Sequence, residues 1–568
     1  MPPGHLRQAR ELLVEKFVAV DVRTHPLGLR ARGGERYTIA YLPASEEWMR
    51  WKRAKEGGKS VGARWVPTTK EELRASVLDF FDDWFQKRSK PKNGEPSEVP
   101  VGLSTRTADS IVGAMLSDTL VRAATLPAWA PATFAESGAL KRIPGVGDGS
   151  EAEEASAVVP MRDGLLELAP LVAKGGGKVV LREHTPRYLS TVCLPYDAPV
   201  EALRRIFETD PDDEHAGGEV VAELAPTWMK FLGQQADGDE LWLDTLQKWF
   251  GYCLTPDISL EAVFLMPGPP RSGKGTILTA LEAMLGEDAV AMTNFSTLGE
   301  RFEGSIFRGR LLAAMSDAHV DPKHAPAAVE KLKAMSGGDS VSVESKFRDK
   351  SPLEKLRIKF AIFTNTIPKL PDPSGALASR LVVLPTRKSY RGQEDRSLKG
   401  HIVAEAAGIF VWAVCGLRRL RRAGKFTMPD DGREMLDQFV RLSSPVSAFL
   451  ADCAVEQEES EVEERMFHEL YLAWSEDQGL GRMSRERFFS ELQATRPAVR
   501  RRKSKLPIST GQGGRPCNVY KGVRPKLAGV GGAEVRVVFE AADLEDFGFR
   551  FPATADGPGP QHDGFGYS

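Results

Sequence analysis

EAVFLMPGPPRSGKGTILTALEAMLG, residues 261–286, runs from a short apolar stretch through a glycine- and proline-rich turn into a segment of helical spacing. The apolar stretch predicts a buried strand, the turn breaks it, and ILTALEAML predicts a helix. A turn of this kind between strand and helix suits one chemistry. Backbone bare of side chains wraps a polyphosphate, while amides at the helix start and a lysine ammonium neutralise it. Gly268 and Gly273 allow the close approach and Lys274 reaches the outer phosphates; Pro269, Pro270, Arg271, Ser272, Gly275 and Thr276 complete the cradle. ATP and Mg²⁺ are the expected cofactors. The strict pattern has Ser or Thr directly after the lysine, but Gly275 intervenes here; which hydroxyl reaches the metal stays open, with Thr276 the candidate.

Outward from the loop, further apolar runs end or begin at polar residues. GRLLAAMSD (309–317) predicts a strand ending in Asp317, a carboxylate at the carboxyl edge of a sheet and the metal-side acid. Ser316 stands where many ATPases carry a second carboxylate, which leaves the general base unassigned, with Glu303 a candidate. KLRIKFAIFTN (355–365) predicts a strand ending in Asn365, an amide able to orient the attacking water. PSGALASRLVVLP (373–385) puts Arg380 directly before another strand, where it can act as a finger on a neighbouring subunit's nucleotide.

Between the second and third of these strands lies KLKAMSGGDSVSVESKFRDK (331–350). Gly337 and Gly338 end a helix, Val341 and Val343 alternate as in a strand, and Lys346, Arg348 and Lys350 follow at period two. Extended, the segment projects three cations from one face; the alternative is a solvated strand edge guarded by charge. Upstream, LWLDTLQKWFGYC (241–253) has the spacing of a helix.

With 568 residues the chain holds about three or four domains. Seventy-six Lys and Arg against 78 Asp and Glu make it no polycation, so contact with nucleic acid has to come from local patches. The run from Arg500, with Arg501, Arg502, Lys503 and Lys505, is one. Five scattered cysteines without a CxxC pair predict reduced, mostly buried thiols and no zinc site. The first residues lack a secretory pattern and the longest apolar run, AAGIFVWAVCGL (406–417), is too short to span a bilayer, so a cytoplasmic location without membrane attachment is expected. RSKPKNGEPSEVP (88–100) and GVGDGSEAEEASA (145–157) read as linkers.

Together GPPRSGKGT, LLAAMSD, LKAMSGGD with Lys346, FTN and the arginine before LVVLP resemble the superfamily-3 helicases of the AAA+ class, and more closely the helicase portion of phage and plasmid primase-helicases related to satellite-phage and poxvirus replication proteins. DGLLELAP, LREHTPRYLSTVCLPYD and LQKWFGYCLTPD resemble the segment that precedes the loop in that family. The resemblance implies an α/β fold. An N-terminal helicase-linked region of mixed α/β and helical character (1–157) and a helical collar-like segment (158–258) lead into an AAA+ phosphate-loop ATPase core (259–430). A winged-helix domain (440–527) and a flexible tail (528–568) follow. It further implies a hexameric ring with ATP at subunit interfaces, movement along single-stranded DNA from 3′ to 5′, and a hairpin from the GGD turn to Lys346 that grips the strand.

SSPVSAFLADC (443–453), the stretch through RRRKSK and NVYKGVRP (518–525) resemble the family's winged helix, which contacts duplex DNA or a protein partner. Ser484 is placed to cap a helix with Phe488, Phe489 and Leu492 inward. No paired-carboxylate strand of a primase precedes the loop, so a separate primase is an expected partner. Two alternatives remain: a replication initiator or loader that uses ATP to assemble without unwinding, and a nucleotide kinase, whose loop GPPRSGKGT also resembles.

Overall fold

Asp239 opens a helix, α1 (Glu240–Cys253), by accepting a hydrogen bond from the amide of Trp242 at 2.9 Å. Trp242, Leu246, Trp249 and Phe250 fall on its buried side, and the Trp249 ring stacks 4.8 Å from Phe264 in the first strand of the sheet. The computed structural model describes residues 158–504 and 517–525 apart from 174–176, 186–187, 209–216, 300–305, 317–320, 322, 343–352, 373 and 394, with short segments before residue 158, chiefly 47–56 and 59–82. Glu303, Asp317, Lys346, Arg348, Lys350, Lys505 and the expected tail (528–568) lie outside the described residues.

Five strands make the central sheet: β1 (Val263–Pro267), β2 (Val290–Met292), β3 (Leu312–Met315), β6 (Lys359–Thr364) and β7 (Leu381–Val383). Their order is β2-β3-β6-β1-β7, every pair parallel. VFLMP, LAAM and KFAIFT are buried at every position, as expected for parallel strands covered on both faces. From β1 the chain passes through α2 (Lys274–Leu285) to the far edge, steps back through β3, α3 (Ala325–Ser336) and β6, then crosses to the other side of β1 for β7. The direction of winding reverses at β1, and ligands of open α/β sheets bind beyond the carboxyl ends at such a point.

Two differences from the sequence reading have physical causes. The run 355–365 is not one strand: Lys355 closes β5 (Leu353–Lys355), which pairs antiparallel with β4 (Ser340–Ser342), and only from Lys359 does the chain join the sheet. Nor does the core break near residue 258, because one apolar cluster runs from Val159 to Leu420 and takes in α1, β1 and α4 (Ala406–Ala423). That last helix holds the longest apolar run, and Ile409–Val414 are buried in this core. Among the described residues no single helix is long and apolar enough to cross a membrane.

The chain divides into two compact units, one of Met1–Pro368 with Arg380–Arg433, the other of Lys369–Ser379 with Glu434–Ser568. The second unit therefore includes eleven residues from within the span assigned by sequence to the ATPase core. In it α5 (Pro445–Cys453), β8 (Ala454–Glu463), α6 (Glu464–Asp477), α7 (Arg485–Thr495), β9 (Arg500–Ser504) and β10 (Cys517–Pro525) succeed one another. Their antiparallel sheet has the order β8-β10-β9. Ser484 caps α7, Phe488 and Leu492 are fully buried, and Phe489 stacks on Tyr520 of β10 at 4.3 Å and 6°.

Candidate functional site

The loop after β1 is clamped where it begins. The Gly268 amide donates to the Thr364 carbonyl at 3.1 Å, and the Thr386 amide donates to Pro267 at 2.9 Å, so the ends of β6 and β7 hold it from both sides. A Cβ on Gly268 would stand 2.0 Å from Thr386 Oγ1, which only glycine avoids. Gly273 has φ +94° and a Cβ there would lie 2.8 Å from Gln235 Nε2, so both its conformation and its surroundings require the missing side chain. Arg271 also adopts positive φ, 62°, and its carbonyl accepts the Tyr390 amide at 2.9 Å. Ser272 Oγ and Thr386 Oγ1 are 2.6 Å apart, and Ser389 Oγ donates to Pro270 O at 2.7 Å. The segment after β7 thus braces the loop along its length.

Lys274 is the first residue of α2, and its ammonium donates to the carbonyls of Gly268 at 2.7 Å and Pro269 at 2.8 Å, both in the loop itself. Partial burial lowers its pKa below the usual lysine value. The Thr276 amide turns back to the Gly273 carbonyl at 2.9 Å, but the amides of Lys274 and Gly275 before it have no acceptor within the helix and lie at its positive end, so the loop presents donors and a cation to an anion. Beside Gly275 the loop is open, a Cβ there meeting only Lys399 Nζ at 3.8 Å. These features fit a polyphosphate. For Mg²⁺ the described share is Thr276, half-buried in the first turn of α2, and among the described residues no cluster of three His, Cys, Asp or Glu side chains exists.

Asn365 is exposed directly after β6, next to the Thr364 carbonyl that receives Gly268, and so stands at the start of the loop. Arg380 sits at the other edge. It precedes β7, hence at the amino ends of the strands, and bonds Glu261 ahead of β1 through Nε at 2.7 Å. A Cβ on Gly337, at the turn leading to β4, would be 3.5 Å from Arg380 Nη2. Only the stem of the expected hairpin is described, with Ser340 opposite Lys355, Val341 opposite Glu354 and Ser342 opposite Leu353.

In the second unit Arg500, Arg501, Arg502 and Lys503 are exposed along β9. Arg501 is engaged within the unit, its Nε 2.7 Å from Glu464 Oε2. Sequence reasoning missed Thr386, Gln235, Tyr390 and Glu261. Each reaches its partner from far along the chain, and none carries a local motif.

A family model described as a family of unknown function (DUF5906) matches residues 266–380, from the end of β1 to Arg380. Among solved structures, the chain is similar to the A form apo structure of the NrS-1 C-terminal region, at 12% identity and a TM-score of 0.39, over 86% of this chain and 96% of that one. Another apo structure of that region, residues 305–718, gives a TM-score of 0.40 at the same identity and coverage.

Proposed function

We propose that this protein is an ATP-hydrolysing DNA helicase of the superfamily-3 AAA+ class that works as a ring in replication. The reading is carried chiefly by the loop of Gly268–Thr276. It stands at the winding reversal of a parallel sheet, with Lys274 at a helix start and Asn365 at its side. When bound, ATP supplies a phosphoanhydride whose hydrolysis drives movement. The loop amides and Lys274 hold the phosphates, Asn365 orients the attacking water, and Thr276 with Asp317 is assigned to Mg²⁺.

Arg380 points the reading toward a ring. A strand separates it from the loop of its own chain, so its cation serves a neighbour's nucleotide. Lys346, Arg348 and Lys350 fall on the connection between the stem strands and are assigned to single-stranded DNA. The α-β-α-α-β-β succession of the second unit supports a winged helix, with the exposed cations of β9 toward duplex phosphates.

Ser316 favours a second reading, an initiator or loader that uses ATP to assemble, because no second carboxylate adjoins Asp317 there. ATP turnover with and without single-stranded DNA, beside strand displacement on a tailed duplex, separates the two. The helicase reading expects DNA-stimulated turnover and displacement, both lost in Lys274→Ala. Nucleotide binding without displacement selects the loader.

A further inference from the structure

The hairpin stem is three residue pairs long, and a two-stranded ribbon of that size has no stable orientation of its own. Its direction has to come from what it touches. Glu354, the central residue of β5, faces Arg308 in the turn that leads into β3. Arg308 Nε donates to Oε2 at 2.9 Å and Nη2 donates to Oε1 at 2.6 Å, a two-point fork. The side chains are 13% and 8% exposed, so the pair is largely removed from water.

A buried ion pair adds little net stability, since desolvation offsets most of the attraction. What a planar fork does supply is a fixed angle between the elements that carry its ends. One end here belongs to β5, the strand that follows the connection 343–352 in the chain, the other to the turn that feeds β3 of the central sheet.

We propose that Arg308 and Glu354 form the positioning contact that couples the hairpin to the ATPase sheet, so that a change at the carboxyl end of β3 turns the stem. This rests on the helicase reading above, and neither residue is proposed to touch nucleotide or DNA.

The test replaces the pair by apolar side chains, Arg308→Met with Glu354→Leu, in the full-length protein. Expected are a melting temperature within a few degrees of the parent, basal ATPase within about twofold, and a loss of at least about fivefold in the ratio of DNA-stimulated to basal turnover. Strand displacement should fall in parallel. A double variant that keeps both the parental ratio and displacement overturns the coupling and leaves the helicase reading standing. A parent whose turnover ignores DNA overturns that reading first, and the coupling with it. Should the double variant not fold, Arg308→Lys keeps the charge and removes the fork, and the same ratio is read. A parental ratio there also overturns the proposal.

Discussion

Arg380 bonds Glu261 across the amino edge of the sheet, Nε to Oε2 at 2.7 Å, while Lys274 stands at the carboxyl edge of the neighbouring strand. A strand's length lies between the two cations assigned to one nucleotide. On the proposed reading, the finger of each site therefore comes from a second chain.

Mixing decides this. Arg380→Ala and Lys274→Ala should each be inactive, because one lacks the finger and the other the loop cation. Random co-assembly of equal amounts pairs an intact loop with an intact finger at about a quarter of interfaces, so ATPase should recover to that order. Co-assembled but inactive mixtures remove Arg380 from the site.

Two glycines of the loop should respond oppositely to a methyl group. Gly268→Ala drives a Cβ against Thr386 Oγ1 and its carbonyl, 2.0 and 2.5 Å away, and should cost at least about 1–3 kcal/mol. Gly275→Ala meets only Lys399 Nζ, lies in a helix and should melt at the parental temperature or above it. Equal melting of the two proteins would contradict the packing described around Gly268.

Lys359 is 1% exposed and bonds the Thr255 carbonyl, and burial lowers its pKa from 10.5 to about 8. Between those values the unfolded chain holds a proton that the folded chain lacks, so stability attributable to this residue rises with pH. Relative to Lys359→Met, the parent should gain about 3 kcal/mol from pH 7 to pH 10.5 by denaturant titration. Cys253, pushed up to about 12 by burial against the pull of Lys359, acts in the opposite sense and is present in both proteins. A gap independent of pH would mean that folding leaves the pKa of Lys359 unshifted.

Arg500→Ala with Lys503→Ala should weaken duplex binding and reduce the slope of log K against log salt by about 1.8, two phosphate contacts' worth. Arg501→Ala should leave that slope nearer the parent's, since Glu464 already engages its guanidinium. An unchanged slope in the double variant directs the second unit to a protein partner.

Legibility in the sequence followed the range of the interactions. The loop, its strand and helix, and the Ser484 cap are set by residues a few positions apart, and composition with spacing exposed them. Thr386, Gln235 and Glu261 meet their partners only through the sheet order, which no local pattern encodes. The split of 355–365 is of this second kind: Glu354 reads as one polar residue near an apolar run until Arg308 arrives from the turn before β3. The eleven residues Lys369–Ser379 read as a loop between strands, because the segment they pack with is remote.

That interleaving bears on how the chain is made. During synthesis the last strand of the central sheet, β7, leaves the ribosome after Lys369–Ser379, yet the rest of their unit begins only at Glu434. Asp372 illustrates the wait: its carboxylate accepts the amides of Leu377 and Ala378 at once, but its own amide donates to Ser443, whose codon comes much later. The nascent sheet can thus close around β1 while this excursion is still unpartnered. A stop codon after residue 433 would leave the excursion permanently without its unit, so the two units are inseparable as genes even where they are separate as cores.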